Sequence, residues 1–283
     1  MPELPDLEVI RENLGPKIVG KEIQEVRVFQ PATIKTFSPD ISSLNGDTFL
    51  GVTRRGKHLI FSLKSGHFLV THLKLAGQFA FLSSEKQISK STALAICLVR
   101  SFDLRLLEPG HKKFAAVYLI SEPNDVPGIR TAGLEPLSAE FTLDRFSALL
   151  RKSRKRLKSF LTDQKLIAGV GNAYSDEILF EARLSPTKIS NTLTPKQIAD
   201  LFQAIPKVLT SAIKKIKDRL GEDLPKKSIR DFLKVHGRFK KPCYRDGTTI
   251  AEISYKERST NYCPTCQTGG KLLADRRYSR FLK

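Results

Sequence analysis

The chain opens Met-Pro-Glu-Leu-Pro, and here residue type and position could do specific chemistry. Loss of Met1 would make Pro2 the N-terminal residue and expose a secondary amine. A model α-amino group has a pKa of roughly 8, so an appreciable fraction is unprotonated near neutral pH. Such an amine attacking C1′ of a sugar forms an iminium ion, an electron sink. Loss of a base and elimination of the flanking phosphates then become accessible. Glu3 follows directly and could give or take a proton at the sugar ring oxygen. The plainer reading is that Pro2 merely follows an initiator Met and Glu3 helps to start a helix.

The second chemical feature is a cysteine cluster. Cys243, Cys263 and Cys266 lie near the C-terminus, whereas Cys97 belongs to the apolar run ALAICLV and reads as a small core residue. In a cytoplasmic protein such a cluster points to metal before disulfides.

Charge indicates a polyanionic partner. The net charge is +19, and residues 151–283 carry 30 Lys and Arg against 13 Asp and Glu. Nearly all the excess lies in the second half. A concentrated basic surface attracts nucleic acid by phosphate neutralisation and counterion release. An anionic membrane is the weaker rival, because the basic residues are spread over several elements. No apolar run approaches the roughly 18 residues needed to span a bilayer, and no signal peptide is evident. A cytoplasmic location is expected, nucleoid-associated if the source is bacterial, and a monomer is the default.

These residues need elements to position them. Residues 5–14 read as a short helix with Pro5 in its first turn and Gly15 just past its end. Residues 16–120 read as many short strands without intervening helices, which predicts a sandwich or barrel. Residues 121–138 look like a Pro- and Gly-containing linker. Helical periods follow. Thr194-Pro195-Lys196-Gln197 forms a capping sequence for a helix running to about Lys217. Residues 157–184 read helix, Gly-containing turn, helix, and the tail reads as a small hairpin held by the cysteines. The expected domains are a β-domain over 1–130, a helical domain over 138–236 and the hairpin over 237–283.

Six segments taken together resemble the formamidopyrimidine-DNA glycosylase/endonuclease VIII family. They are PELPDLEV at the start, RRGKHL at 54–59, THLKLAG at 71–77, KKF at 112–114, LIAGVGNAYSDEILF at 166–180 and RSTNYCPTCQ at 258–267. They occur in the family's order and cover most of the chain. The resemblance implies an α+β protein. Its N-terminal part would be a two-layer β-sandwich. Its C-terminal part would be a helix–two-turn–helix domain with a β-hairpin zinc finger, and DNA would lie in the cleft between the two parts. It also implies excision of oxidised bases from damaged double-stranded DNA, with Pro2 as nucleophile, Glu3 assisting and Lys57 contacting phosphate near the lesion.

By the same resemblance Lys158, Asn172 and Arg258 bind phosphate. The AGVGNAY glycines permit tight bends, and the following helix's N-terminal amides can face a phosphate. An enzyme that acts on a duplex base must extrude it and fill the gap. Phe114 and Leu75 match the residues that do so, although Leu75 reads equally well as core. Lys112 stands where the family usually has arginine, offering the opposite base a point charge instead of a planar fork.

Two departures remain. The family usually has two Cys-x-x-Cys pairs. Here Cys243 is matched by Asp246, and Cys263 by Cys266. A three-cysteine, one-aspartate zinc site is one reading; Asp246 as a turn residue before Gly247, with the fourth ligand elsewhere or no metal bound, is the other. The segment between SIRDF at 228–232 and VHGR at 235–238 is also shorter than in members that cap 8-oxoguanine. Formamidopyrimidines, ring-saturated pyrimidines and abasic sites therefore gain weight as substrates. The rival functions are a lesion-binding protein that has lost catalysis, favoured if Met1 is retained, and an enzyme restricted to abasic sites.

Overall fold

The computed structural model describes residues 1–110, 114–255 and 258–274. They form two compact units, one of residues 1–131 with 213–229, the other of 132–212 with 230 onward.

The first unit begins with helix α1 (Leu4–Ile18). Sequence signals end this helix before Gly15, yet it continues through Gly15 and Pro16. The reason is burial. Leu7, Ile10, Leu14 and Ile18 form one stripe inside the core, each worth about 1.5–3 kcal/mol. A proline inside a helix costs about 3 kcal/mol, so the last turn, which buries Leu14 and Ile18, covers that cost.

Eight strands follow: β1 (Ile23–Val28), β2 (Phe49–Arg55), β3 (His58–Leu63), β4 (Phe68–His72), β5 (Gln78–Ser83), β6 (Thr92–Leu98), β7 (Phe102–Leu107) and β8 (Ala116–Ile120). They form two antiparallel four-stranded sheets, ordered β1-β6-β7-β5 and β2-β3-β4-β8. The sheets meet face to face. Phe61 of β3 touches Phe79 of β5 edge-on with ring centroids 5.8 Å apart, as aromatic pairs prefer. This is the expected two-layer β-sandwich. Cys97 is buried in β6.

The stretch read as a linker is more ordered than its Pro and Gly content suggests. Pro127–Arg130 form a short helix, α2. Val126 and Ile129 are buried with Ile60, Val70 and Ile120 on the outer side of β3, β4 and β8. Apolar burial overrides the turn chemistry there.

The second unit contains α3 (Leu143–Lys152), α4 (Leu157–Thr162), α5 (Asn172–Glu181) and most of α6 (Pro195–Leu220), whose last turns cluster with the first unit. Thr194 caps α6 as expected. Its hydroxyl accepts from Gln197 N at 3.3 Å, and Gln197 Oε1 accepts from Thr194 N at 3.1 Å. Strands β9 (Ala251–Tyr255) and β10 (Arg258–Tyr262) form the tail hairpin, followed by the short α7 (Pro264–Thr268). No helix among the described residues is long and apolar enough to cross a membrane.

Candidate active site

In the first unit the start of α1 is built around two acidic side chains. Asp6 reaches back so that its Oδ2 accepts from Glu3 N at 2.8 Å, a reciprocal N-terminal bond. Both carboxylates are buried, Glu3 with 3% of its surface exposed. A cavity of ≈ 240 Å³ opens beside them, lined by Pro2, Asp6, Leu75, Gly77, Lys227 and Ser228 among others, with Met1 also at its wall.

The β2–β3 turn is tied to the same helix. Arg54 Nε donates to Glu8 Oε2 of α1 at 2.8 Å, and Arg54 also donates to Gly56 O at 3.0 Å. Gly56 takes φ +55° to close the turn. Lys57, next to it, is only 8% exposed.

Leu75 is displayed, not packed, with 59% of its surface exposed. Its turn is tight. Gly77 N donates to Leu73 O at 2.9 Å. A Cβ on Gly77 would lie 2.5 Å from that same oxygen, so only glycine fits. Phe114 is likewise 46% exposed. Glu108, which sequence reasoning missed, anchors the chain there: its Oε1 accepts from Phe114 N at 2.8 Å and Ala115 N at 2.7 Å. Lys112 lies outside the described residues.

A histidine pair lies between these turns and was also missed. His58 and His72 meet edge to face at 4.6 Å. Burial, with Lys74 next, lowers the His58 pKa to about 4. Burial, then His58, Lys74 and Lys57, lowers that of His72 to about 2. The signal that could have found them is modest: each lies within a quoted motif, at the same end of the paired strands β3 and β4.

In the second unit, Gly169 at φ +83° and Gly171 as the cap of α5 shape the turn between α4 and α5. Gln164, unnoticed in the sequence, clamps it: Nε2 donates to Val170 O at 2.7 Å and Oε1 accepts from Gly169 N at 3.0 Å. Asn172 opens α5, and its Oδ1 is buried without a hydrogen-bond partner among the described residues. Lys158 Nζ donates to Asp176 Oδ1 at 2.6 Å and to Ser259 O of β10 at 2.9 Å. Asp176 also holds His236 Nδ1 at 2.7 Å and accepts from Asn261 N at 3.2 Å. Lys158 and the hairpin are thus fixed to α5 through one buried carboxylate. Arg258 begins β10, and its side chain lies outside what is described.

The four predicted ligand residues converge. Ligand atoms of Cys243, Asp246, Cys263 and Cys266 all lie within 4.8 Å of one another. The Cys243 and Cys266 sulfurs are 3.9 Å apart, and Asp246 Oδ2 is 3.0 Å and 3.4 Å from the Cys266 and Cys263 sulfurs. A tetrahedral zinc with Zn–S of about 2.3 Å needs sulfurs about 3.8 Å apart. The cluster therefore fits a metal ion. Asp246 also shapes its turn, accepting from Thr248 N at 2.9 Å through Oδ1. Burial holds the Cys263 and Cys266 thiols above the ordinary range, and a bound metal would displace those protons.

Comparison with known proteins agrees with this geometry. Residues 1–116 match the formamidopyrimidine-DNA glycosylase N-terminal domain and residues 132–222 the formamidopyrimidine-DNA glycosylase H2TH domain. The chain belongs to the formamidopyrimidine-DNA glycosylase family. It is 37% identical to the formamidopyrimidine-DNA glycosylase of Enterococcus faecalis, over 94% of this chain and 97% of that one. It is 34% identical to that of Pelotomaculum thermopropionicum, over 94% and 99%. Among solved structures it resembles Lactococcus lactis Fpg in complex with abasic-site DNA, with a TM-score of 0.85, 31% identity and coverage of 94% of this chain and 99% of that one. It also resembles the same protein in complex with Fapy-dG DNA, with a TM-score of 0.85, 31% identity and coverage of 94% and 100%.

The histidine pair predicts an acid limit to stability. Both imidazoles stay neutral in the folded protein at pH values where unfolded histidine, with a pKa near 6.5, takes up a proton. Their contribution is complete above about pH 6.5 and is lost as pH falls, toward about 4 for His58 and about 2 for His72. Denaturant titration should show a decline over that window of up to about 1.4 kcal/mol per pH unit for each histidine. The slope should be shallower in His72→Asn. Identical slopes would mean that the folded state protonates His72 as readily as the unfolded chain does.

Proposed function

We propose that this chain is a bifunctional DNA glycosylase and abasic-site lyase that removes oxidised bases from duplex DNA. The observation that carries the reading is the juxtaposition of Pro2, Asp6 and the exposed Leu75 around one cavity, with Glu3 next to Pro2 in the chain and bonded through its backbone to Asp6. Loss of Met1 frees the Pro2 nitrogen. That nitrogen bonds to C1′, and the C1′–base bond breaks with its electron pair leaving on the base, which is protonated. Glu3 protonates the ring oxygen as the sugar opens, leaving an iminium between Pro2 and C1′. Proton loss at C2′ expels the 3′ phosphate, and a second elimination expels the 5′ phosphate. Water then releases Pro2. No redox change occurs.

Lys57 serves the phosphate next to the lesion; Lys158, Asn172 and Arg258 serve the backbone around it. Such contacts fix register without reading sequence. Leu75 and Phe114 fill the space left by the extruded nucleotide; contact with the opposite base is assigned to Lys112 by family resemblance alone. Cys243, Asp246, Cys263 and Cys266 would hold a structural zinc that fastens the hairpin, and zinc takes no part in the chemistry. The short segment between 232 and 235 favours formamidopyrimidines, oxidised pyrimidines and abasic sites over 8-oxoguanine. The partner is damaged double-stranded DNA, and the expected setting is base excision repair in the cytoplasm or nucleoid.

Glu3→Gln should lower base excision by about 10²–10⁴-fold while duplex binding persists. Borohydride should trap the parent protein, but not Pro2→Ala/Glu3→Gln, on duplexes carrying an abasic site or an oxidised base. Tight binding with no adduct on any duplex would favour a lesion-binding protein, and an adduct on abasic sites alone would favour a restricted lyase. Elemental analysis should find one zinc per chain. Asp246→Ala should weaken retention against a chelator by about tenfold or more, and Asp246→Cys should restore it; equal retention in all three would remove Asp246 from the ligand set.

A further inference from the structure

The turn at residues 73–77 has to be held in an unfavourable shape. Lys74 takes φ +51°, a left-handed conformation uncommon for a residue with a side chain. Residues in such regions cost about 1–3 kcal/mol and persist only where their surroundings over-determine them. Two bonds do so here. One is the Gly77 N to Leu73 O bond already described. The other runs from Lys74 N to His72 Nδ1 at 2.9 Å.

The second bond makes a demand on the imidazole. Nδ1 accepts, so the ring proton must be on Nε2, and the ring must be neutral. Burial and the nearby Lys57 and Lys74 keep it so. Its orientation is fixed from the other side by His58, edge to face at 4.6 Å. His58 in turn is wedged against α2, where a Cβ on Gly128 would come within 2.6 Å of its ring. A chain of contacts therefore runs from Gly128 through His58 and His72 to the backbone that presents Leu75 beside Pro2.

We propose that His72 is a positioning residue: its Nδ1 locks the Lys74 backbone so that Leu75 is presented to DNA at the Pro2 cavity, with His58 bracing the ring. This rests on the reading of Leu75 as the residue that fills the gap in the duplex. A histidine that only filled space would be replaceable by any ring of similar size.

Three substitutions separate these cases. Asparagine carries Oδ1 close to where Nδ1 lies, so His72→Asn keeps the acceptor. Glutamine places its amide near Nε2, and phenylalanine keeps the ring and its contact with His58 but accepts nothing. In the full-length free protein, amide hydrogen exchange at residues 73–77 should speed up by about tenfold or more in His72→Gln and His72→Phe. It should stay within about threefold of the parent in His72→Asn.

The DNA arm uses 2-aminopurine opposite an abasic-site analogue in a duplex, which needs no catalysis. Binding by the parent and His72→Asn should raise its fluorescence alike; His72→Phe, His72→Gln and Leu75→Ala should blunt the rise. Unchanged exchange in the phenylalanine and glutamine variants overturns the positioning role. So does faster exchange with a fluorescence rise equal to the parent's, provided Leu75→Ala blunts it. If Leu75→Ala itself gives the parent's rise, the reading of Leu75 has failed and the proposal falls with it.

Discussion

The candidate chemistry depends on the burial of one helix. Pro2 has no fold of its own to hold it. Its position is set by α1, whose stripe of Leu7, Ile10, Leu14 and Ile18 is sunk in the sandwich core. That stripe is strong enough to carry the helix through Gly15 and Pro16. At the other end, the bond between Asp6 and the Glu3 backbone fixes the direction in which the chain enters the helix. An amine placed this way can face one sugar carbon, which converts a weak bimolecular attack into a positioned one.

The same helix aligns the surrounding turns. Arg54 joins Glu8 to the hairpin that carries Lys57, and because the pair is largely buried it is screened less by salt than a surface pair would be. On the neighbouring strands the histidine pair supports the turn that displays Leu75. Three elements, each from a different part of the sequence, thus hold Pro2, Lys57 and Leu75 within the first unit. The second unit follows the same logic around Asp176, a buried carboxylate shared by a lysine, a histidine and the hairpin backbone. Removing such an acceptor would leave its partners without their bonds, which costs more than any one of those bonds is worth.

Much of this was legible in the sequence, for identifiable reasons. The strands showed because their apolar runs are bounded by turn residues such as Asn45-Gly46 and Ser65-Gly66. The cysteine–aspartate cluster showed because ligand types are few and their spacing is short. What was hidden depends on contacts distant in sequence. The burial of Lys57 was hidden because nothing local in RRGKHL announces it. Leu75 was ambiguous because an apolar residue in a motif can face either way. Glu108, Gln164, Asp176 and the two histidines were passed over because each acts on backbone or on a partner from another element. The boundary between the two units does fall within 121–138, but the order of that stretch was hidden because Val126 and Ile129 find a sheet face to cover.

The central claim is that the Pro2 nitrogen is the nucleophile. The most direct test is to reduce the protein–DNA adduct with borohydride, digest it and identify by mass spectrometry the peptide and atom that carry the sugar remnant. The account predicts the remnant on the α-nitrogen of an N-terminal peptide that begins at Pro2. A remnant on Lys57 or another lysine, or an N-terminal peptide that keeps Met1 and carries none, would contradict it.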